Sequence, residues 1–201
     1  NVLASAHLDE DIKDDLEIMD LNTNRLLDLV NQLLDFRKTE TKGFRLNIMD
    51  YNLSGILQAI YKRFTPLARE KGLEFTIESI DDLHASVDKE GFTKIISNLF
   101  TNAIKYSDTY IHVKLRLDNA SNLLTLSVEN DGVIVPKAER EEIFKPFKQY
   151  HEENTHVQGT GIGLALARSL AELHGGKLSM DEALDCNRFI LQLPLCHEQI
   201  L

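Results

Sequence analysis

Asn98, Asn102 and Lys105 recur at spacings of four and three within a stretch of helical pattern. Phe92, Ile95, Leu99, Ala103 and Tyr106 form an apolar stripe beside them on the same pattern. The apolar stripe is a face for burial, whereas the polar one presents two carboxamides and an ammonium together. Asn in a helix interior costs about 0.5 kcal/mol relative to Ala, so two of them in register with a lysine invite an explanation. Carboxamide oxygens can ligate a hard cation such as Mg²⁺, and an ammonium can meet phosphate oxygens. The plainer alternative is a solvated polar face.

A second stretch carries the chemistry further. Gly159-Thr160-Gly161-Ile162-Gly163 runs directly into Leu164 and a helical pattern reaching Leu173. Glycines let backbone N–H groups approach an anion, and a helix start offers free donors and a favourable dipole. An ordinary flexible turn would read the same way. Leu164 fills the third glycine position of a dinucleotide fingerprint, and no GxxxxGK[ST] occurs. Neither a Rossmann site nor a P-loop is expected.

Between these stretches, Leu124-Thr125-Leu126-Ser127-Val128-Glu129-Asn130 alternates as a strand and ends on Asp131-Gly132. The two-residue period sets Asn130 on the apolar face and Asp131 on the other, where it reads as a turn residue. A short charged helix is expected over 137–142, followed by Phe144 and Phe147 around Pro146. The polar run Gln149 to His156 then leads to the glycines, as a nucleotide lid would.

In order and spacing, these residues resemble the catalytic, ATP-binding domain of a two-component sensor histidine kinase, with its Bergerat fold. The N box is Asn98 to Tyr106, a modified G1 box is Asn130 to Pro136, the F box is Phe144 to Phe147 and the G2 box is Gly159 to Gly163. The resemblance covers about residues 44 to 195. Upstream, Asn22 to Leu27 and Asn31 to Arg37 resemble the second dimerisation helix of such kinases, especially the hybrid sensor-regulators.

The resemblance implies roles. Asn102 would ligate Mg²⁺ with Asn98 assisting, Lys105 would contact phosphate, and Tyr106 would lie near sugar and base. Gly159, Thr160, Gly161, Gly163 and Leu164 would surround the phosphates of ATP, Gly132 and Asn130 would belong to the base site, and Lys148 could reach the γ-phosphate. Phe144 and Phe147 would pack the lid, or be plain core aromatics. Two positions depart from the family pattern. Asn130 stands where an Asp usually accepts from the adenine amine, which removes charge assistance of about 1 kcal/mol. Ile134 replaces a usual glycine, which stiffens the hinge. Hydrolytic relatives of the fold carry a Glu at the position of Asn98 as general base, and a carboxamide cannot take a proton there. Transfer to an imidazole is therefore the expected chemistry. A non-catalytic module that uses nucleotide only as a conformational switch is the rival from another class.

Those motifs need elements to hold them. A long helix is expected over 9–40, with Ile12, Leu16, Met19, Leu26, Leu27, Val30, Leu33 and Leu34 as its apolar seam. Such a seam must fold back, pair with another copy, or await a further segment. Gly43 marks a boundary, giving a helical unit over 1–42 and a catalytic unit over 43–201. Strands are expected near 44–50, 73–79, 84–87, 109–118, 123–130, 176–180 and 187–193, with helices over 53–71, 89–106 and 161–174. The fold class is α/β, a two-layer sandwich of a mixed sheet with helices on one face.

In bulk, the 201 residues carry a net charge of −10 and no basic face, against direct nucleic-acid binding. Cys186 and Cys196 form no CxxC, which suits a reducing compartment. His151 and His156 bracket Glu152 and Glu153 at one residue more than HExxH requires, so no zinc site is expected there. A phospho-acceptor H box would read His-Glu-x-Arg-Thr-Pro, and His7-Leu8-Asp9-Glu10 lacks most of it. From the resemblance follow the expected partners: an H-box helix outside this sequence, a receiver domain, and a second copy in a homodimer. A cytoplasmic placement, with the parent protein anchored in the inner membrane, follows likewise.

Overall fold

The computed structural model describes residues 2–41, 45–118, 122–148, 150, 159–181 and 185–195. Gly43, Cys196, the His151–His156 cluster and the His7 side chain lie outside the described residues.

In chain order the elements are α1 (Val2–Glu40), β1 (Ile48–Asn52), α2 (Leu53–Glu70), β2 (Glu74–Glu78), β3 (His84–Asp88), α3 (Lys89–Tyr106), β4 (Tyr110–Asp118), β5 (Leu123–Asn130), a 3₁₀ turn (Glu142–Phe144), α4 (Gly163–Leu173), β6 (Lys177–Met180) and β7 (Asn187–Pro194). Five strands form one mixed sheet in the order β2-β4-β5-β7-β6. The β2–β4 pair is parallel and the others are antiparallel. Helices α2, α3 and α4 form the second layer.

Alternation makes this sheet two-faced. On β5, Leu124, Leu126, Val128 and Asn130 turn inward, and on β7 Asn187, Phe189, Leu191 and Leu193 do so. They meet Phe92, Ile95, Ile96, Leu99, Phe100 and Ala103 of α3, each fully buried. Phe75 and Phe100 meet edge to face at 5.2 Å.

Two expectations are corrected. The first strand runs over Ile48–Asn52, later than 44–50, and pairs with β3 in a separate two-stranded ribbon. Asp82, at φ 52, turns the chain after β2, which carries β3 to β1 while β2 takes β4. The charged stretch 137–142 is a turn, with only Glu142–Phe144 in a helical (3₁₀) turn. It has no apolar stripe to bury, and Arg140 ties it down by donating to the carbonyls of Val135 and Asp181.

The amphipathic helix α3 is anchored at its start. Asp88 caps it, accepting from the Gly91 N–H at 2.7 Å with one carboxylate oxygen and from the Asn47 N–H at 2.7 Å with the other. The Asp88 N–H donates to His174 Nε2 at 3.1 Å, while His174 Nδ1 donates to the Leu170 carbonyl at 2.7 Å. His174 is wholly buried, and burial lowers its pKa, so the ring is neutral and joins the start of α3 to the end of α4.

Candidate nucleotide site

The helical spacing of α3 does what the sequence requires of it. Its apolar stripe packs on the sheet, and Asn98, Asn102 and Lys105 line a cavity of about 900 Å³. Across that cavity the loop of Gly159, Thr160 and Gly161 leads into the first turn of α4, where Gly163 and Leu164 also line the wall. Gly163 faces Asn98 so closely that a Cβ there would lie 3.0 Å from Asn98 Oδ1. A glycine at the helix start thus brings backbone N–H donors and a carboxamide oxygen to one place.

At the far end lie Tyr106 and Asn130. Lys105 Nζ donates to the Tyr106 hydroxyl at 2.9 Å and lies 4.5 Å from its ring centre, and burial raises the phenol's pKa. Asn130 is 1% exposed and its Nδ2 reaches the Tyr106 carbonyl at 3.5 Å. Lys148 is exposed at the rim.

Gly132 does not belong to the wall. It is buried behind Tyr106, where a Cβ would lie 1.5 Å from the Tyr106 carbonyl oxygen. Its part is to let β5 and the end of α3 meet. The phenylalanines also separate: Phe144 is core, stacked under the Arg168 guanidinium at 3.6 Å and edge-on to Phe189. Phe147 is 65% exposed, and its N–H donates to the Gly161 carbonyl at 2.9 Å, tying the segment before the polar loop to the segment after it.

Three contributors were not singled out from sequence as parts of the site. Asp131 turns away from the cavity, as the strand period requires, and holds the start of β4. Its carboxylate accepts from the N–H groups of Asp108, Thr109 and Tyr110 and from the Thr109 hydroxyl. Burial alone would raise its pKa, but these donors outweigh it and bring it down to about 2. Asn187 pins the loop after β5, donating to the Val133 carbonyl and accepting from the Val135 N–H, each at 2.9 Å. Its signal was a polar residue in phase with Phe189, Leu191 and Leu193. Gln32 of α1 accepts from the Thr160 hydroxyl at 2.8 Å, and Asn22, Leu26 and Leu29 of the same helix close the cavity from above. Asp35 pairs with Lys94 at 2.8 Å and Thr39 accepts from Ser169 at 2.8 Å. Nothing local in sequence pairs residues 128 or 130 apart.

Among the described residues no cluster of three or more His, Cys, Asp or Glu could hold a metal alone. The donor set instead fits Mg²⁺ arriving with a polyphosphate. That ion keeps several waters and takes few protein ligands, and two neutral carboxamide oxygens one turn apart beside a glycine-lined helix start suit it.

The family described as histidine kinase-, DNA gyrase B- and HSP90-like ATPase matches residues 87–197, and the chain belongs to it. Among its relatives is the sensor histidine kinase WalK of Bacillus subtilis, 32% identical over 163 residues, covering 79% of this chain and 26% of WalK. Hybrid signal transduction histidine kinase D of Dictyostelium discoideum is 32% identical over 202 residues, covering 96% of this chain and 13% of that protein. The solved catalytic domain of histidine kinase ThkA superposes with a TM-score of 0.67 at 27% identity, covering 75% of this chain and 97% of that one. The chain thus spans about a quarter or less of the two curated relatives. No helix among the described residues is long and apolar enough to cross a membrane.

Proposed function

We propose that this chain binds ATP with Mg²⁺ and donates the γ-phosphoryl group to a histidine imidazole in two-component signalling. The observation that carries the reading is the apposition of the Asn98/Asn102/Lys105 face with the glycine start of α4 across one cavity. Asn102 and Asn98 hold the metal ion through their carboxamide oxygens, and Mg²⁺, when bound, neutralises phosphate charge. Lys105 offers its ammonium to phosphate, and the N–H groups at Gly161 and Gly163 receive the remaining oxygens. Lys148 reaches in from the rim toward the γ-phosphate. Tyr106 and Asn130 take the nucleoside end.

In the transfer, the bond from the γ-phosphorus to the β,γ-bridging oxygen breaks and a bond to an imidazole nitrogen forms. ADP leaves and the ring proton passes to solvent. Asn98 cannot serve as a general base, so water is not activated at that position and an imidazole nucleophile is favoured. Residues 1–42 would be the second helix of a dimerisation hairpin and 43–201 the catalytic unit. The acceptor stands on an H-box helix outside this sequence, the onward partner is a response-regulator receiver domain, and the working unit is a homodimer in the cytoplasm.

The test is transfer of label from γ-labelled ATP with Mg²⁺. Supplied with the H-box hairpin of its own parent protein, the chain should form acid-labile phosphohistidine on that hairpin, and Asn102→Ala should abolish it. Without the hairpin it should turn over ATP slowly. Rapid release of ADP without an acceptor would contradict the reading.

A further inference from the structure

Arg168 lies in the second turn of α4 and does not line the cavity. Its guanidinium is nonetheless fixed on three sides. It sits 3.6 Å over the ring centre of Phe144, Nε donates to the Leu178 carbonyl at 3.1 Å, and Nη1 donates to Glu141 at 2.8 Å. A planar fork can cover a ring and donate in two directions at once, which an ammonium cannot. Glu141 and Phe144 belong to the run 139–148, which ends on Lys148 at the cavity rim. Backbone bonds make that run one stiff piece: Ile143 donates to Glu139, Phe144 to Glu141, Lys145 to Glu142 and Lys148 to Lys145, between 2.9 and 3.3 Å. Its far end is strained. Phe147 sits at φ 65, in the left-handed region, and a Cβ on Gly161 would lie 2.8 Å from the Phe147 Cα. A phenylalanine keeps such a conformation only where its surroundings over-determine it. The bond from the Phe147 N–H to the Gly161 carbonyl holds one side of it, and the Arg168 contacts hold the run from the other.

We propose that Arg168 is a positioning residue for the terminal phosphate: from outside the cavity it clamps the run 139–148 to α4 and so keeps Lys148 at the rim. This rests on the nucleotide reading above. Arg140 ties the start of the same run to the carbonyls of Val135 and Asp181, neither of them on α4. Arg168 ties it to the helix whose first turn lines the phosphate side. The Glu141 carboxylate is exposed, and an exposed ion pair adds little by itself. The weight falls on the cover over buried Phe144 and on the Leu178 bond, which together hold the guanidinium in one plane. Without Arg168 the strain at Phe147 can relax to negative φ. That turn of the backbone carries Lys148, the next residue, away from the phosphate.

The readout is the ratio of affinities for a non-hydrolysable ATP analogue and for ADP, by calorimetric titration with Mg²⁺. ADP lacks the terminal phosphate, so the ratio reports contacts to that group alone. The wild-type chain should favour the analogue by about tenfold. Arg168→Ala should bring the ratio close to one while ADP affinity is kept, and Lys148→Ala should do the same. The double variant should show no further change, because the two residues act through one contact. Arg168→Lys keeps the charge beside Glu141 but not the fork, and its ratio should fall between those of wild type and Arg168→Ala. If Arg168→Ala fails to fold, Arg168→Lys decides. Equal weakening of both nucleotides by Arg168→Ala, or additive losses in the double variant, would mean that Arg168 only packs α4, and would overturn the proposal while leaving the nucleotide site standing. Failure of wild type to bind either nucleotide would overturn both.

Discussion

Asp131 and Asn130 are adjacent, and their side chains do opposite work because a strand alternates its faces. Asp131 collects the N–H groups of three successive residues at the start of β4, and its pKa lies near 2 against an ordinary 3.8. A lowered folded-state pKa means stability that is present above the ordinary value and lost as pH falls from about 4 toward 2. Asp131→Asn should therefore melt lower than wild type at pH 7, by about 1 kcal/mol after solvent screening. The difference should shrink toward zero near pH 2. A gap unchanged by acid in thermal melts would mean that the charge of Asp131 is not what holds β4. The outward phase of Asp131 was legible in the alternation of Leu124, Leu126, Val128 and Asn130. Its three backbone partners were not, because they lie more than twenty residues away across a turn.

At the scale of elements, α1 has two characters. Its C-terminal part is bound to the rest of the molecule through Gln32, Asp35 and Thr39. Nine of the fourteen exposed large hydrophobic residues described nonetheless lie on this helix, so its seam is only partly covered. Of the three fates expected for that seam, folding back accounts for one side of its last turns alone. The uncovered side suits a second copy, with burial contributing about 25 cal/mol per Å² before the cost of association. Leu27 and Leu34 are 57% and 54% exposed and do not line the cavity. Replacing both by Glu should convert a concentration-dependent dimer into a monomer in sedimentation, with Mg²⁺-nucleotide binding kept. A wild-type chain that stays monomeric at high micromolar concentration would refute this. The seam was readable from spacing, but its contact with the glycine loop was not, since periodicity reports that a face is apolar and not what meets it. The turn over 137–142 failed as a helix for a related reason: good helix formers without a face to bury settle where their own side chains find partners, here where Arg140 reaches the carbonyls of Val135 and Asp181.

For the whole molecule, the two-layer α/β arrangement followed from alternation and helical period, while strand order needed long-range pairing. Ser54 and Asn52 show why β3 leaves the main sheet: Ser54 Oγ accepts from the Leu83 N–H at 3.1 Å and Asn52 donates to Asp82 at 2.7 Å, fixing the chain beside α2. Such contacts join residues about thirty apart and have no local pattern. The wall of the candidate site was legible wherever polar residues kept to the helical period, as at Asn98, Asn102 and Lys105, which line the cavity, and illegible where it depended on two segments meeting, as at Asn187 and Gln32. The central claim is that the α3 polar face and the glycine start of α4 together hold a Mg²⁺-nucleotide. Calorimetric titration of wild type and Asn102→Ala with a non-hydrolysable ATP analogue, with and without Mg²⁺, tests it most directly. Wild type should bind in a Mg²⁺-dependent manner. The variant should lose about tenfold or more of that affinity, and nearly all of its Mg²⁺ dependence, while its own melt stays within about 0.5 kcal/mol of wild type. Equal affinity and equal Mg²⁺ dependence in the two proteins would contradict the account.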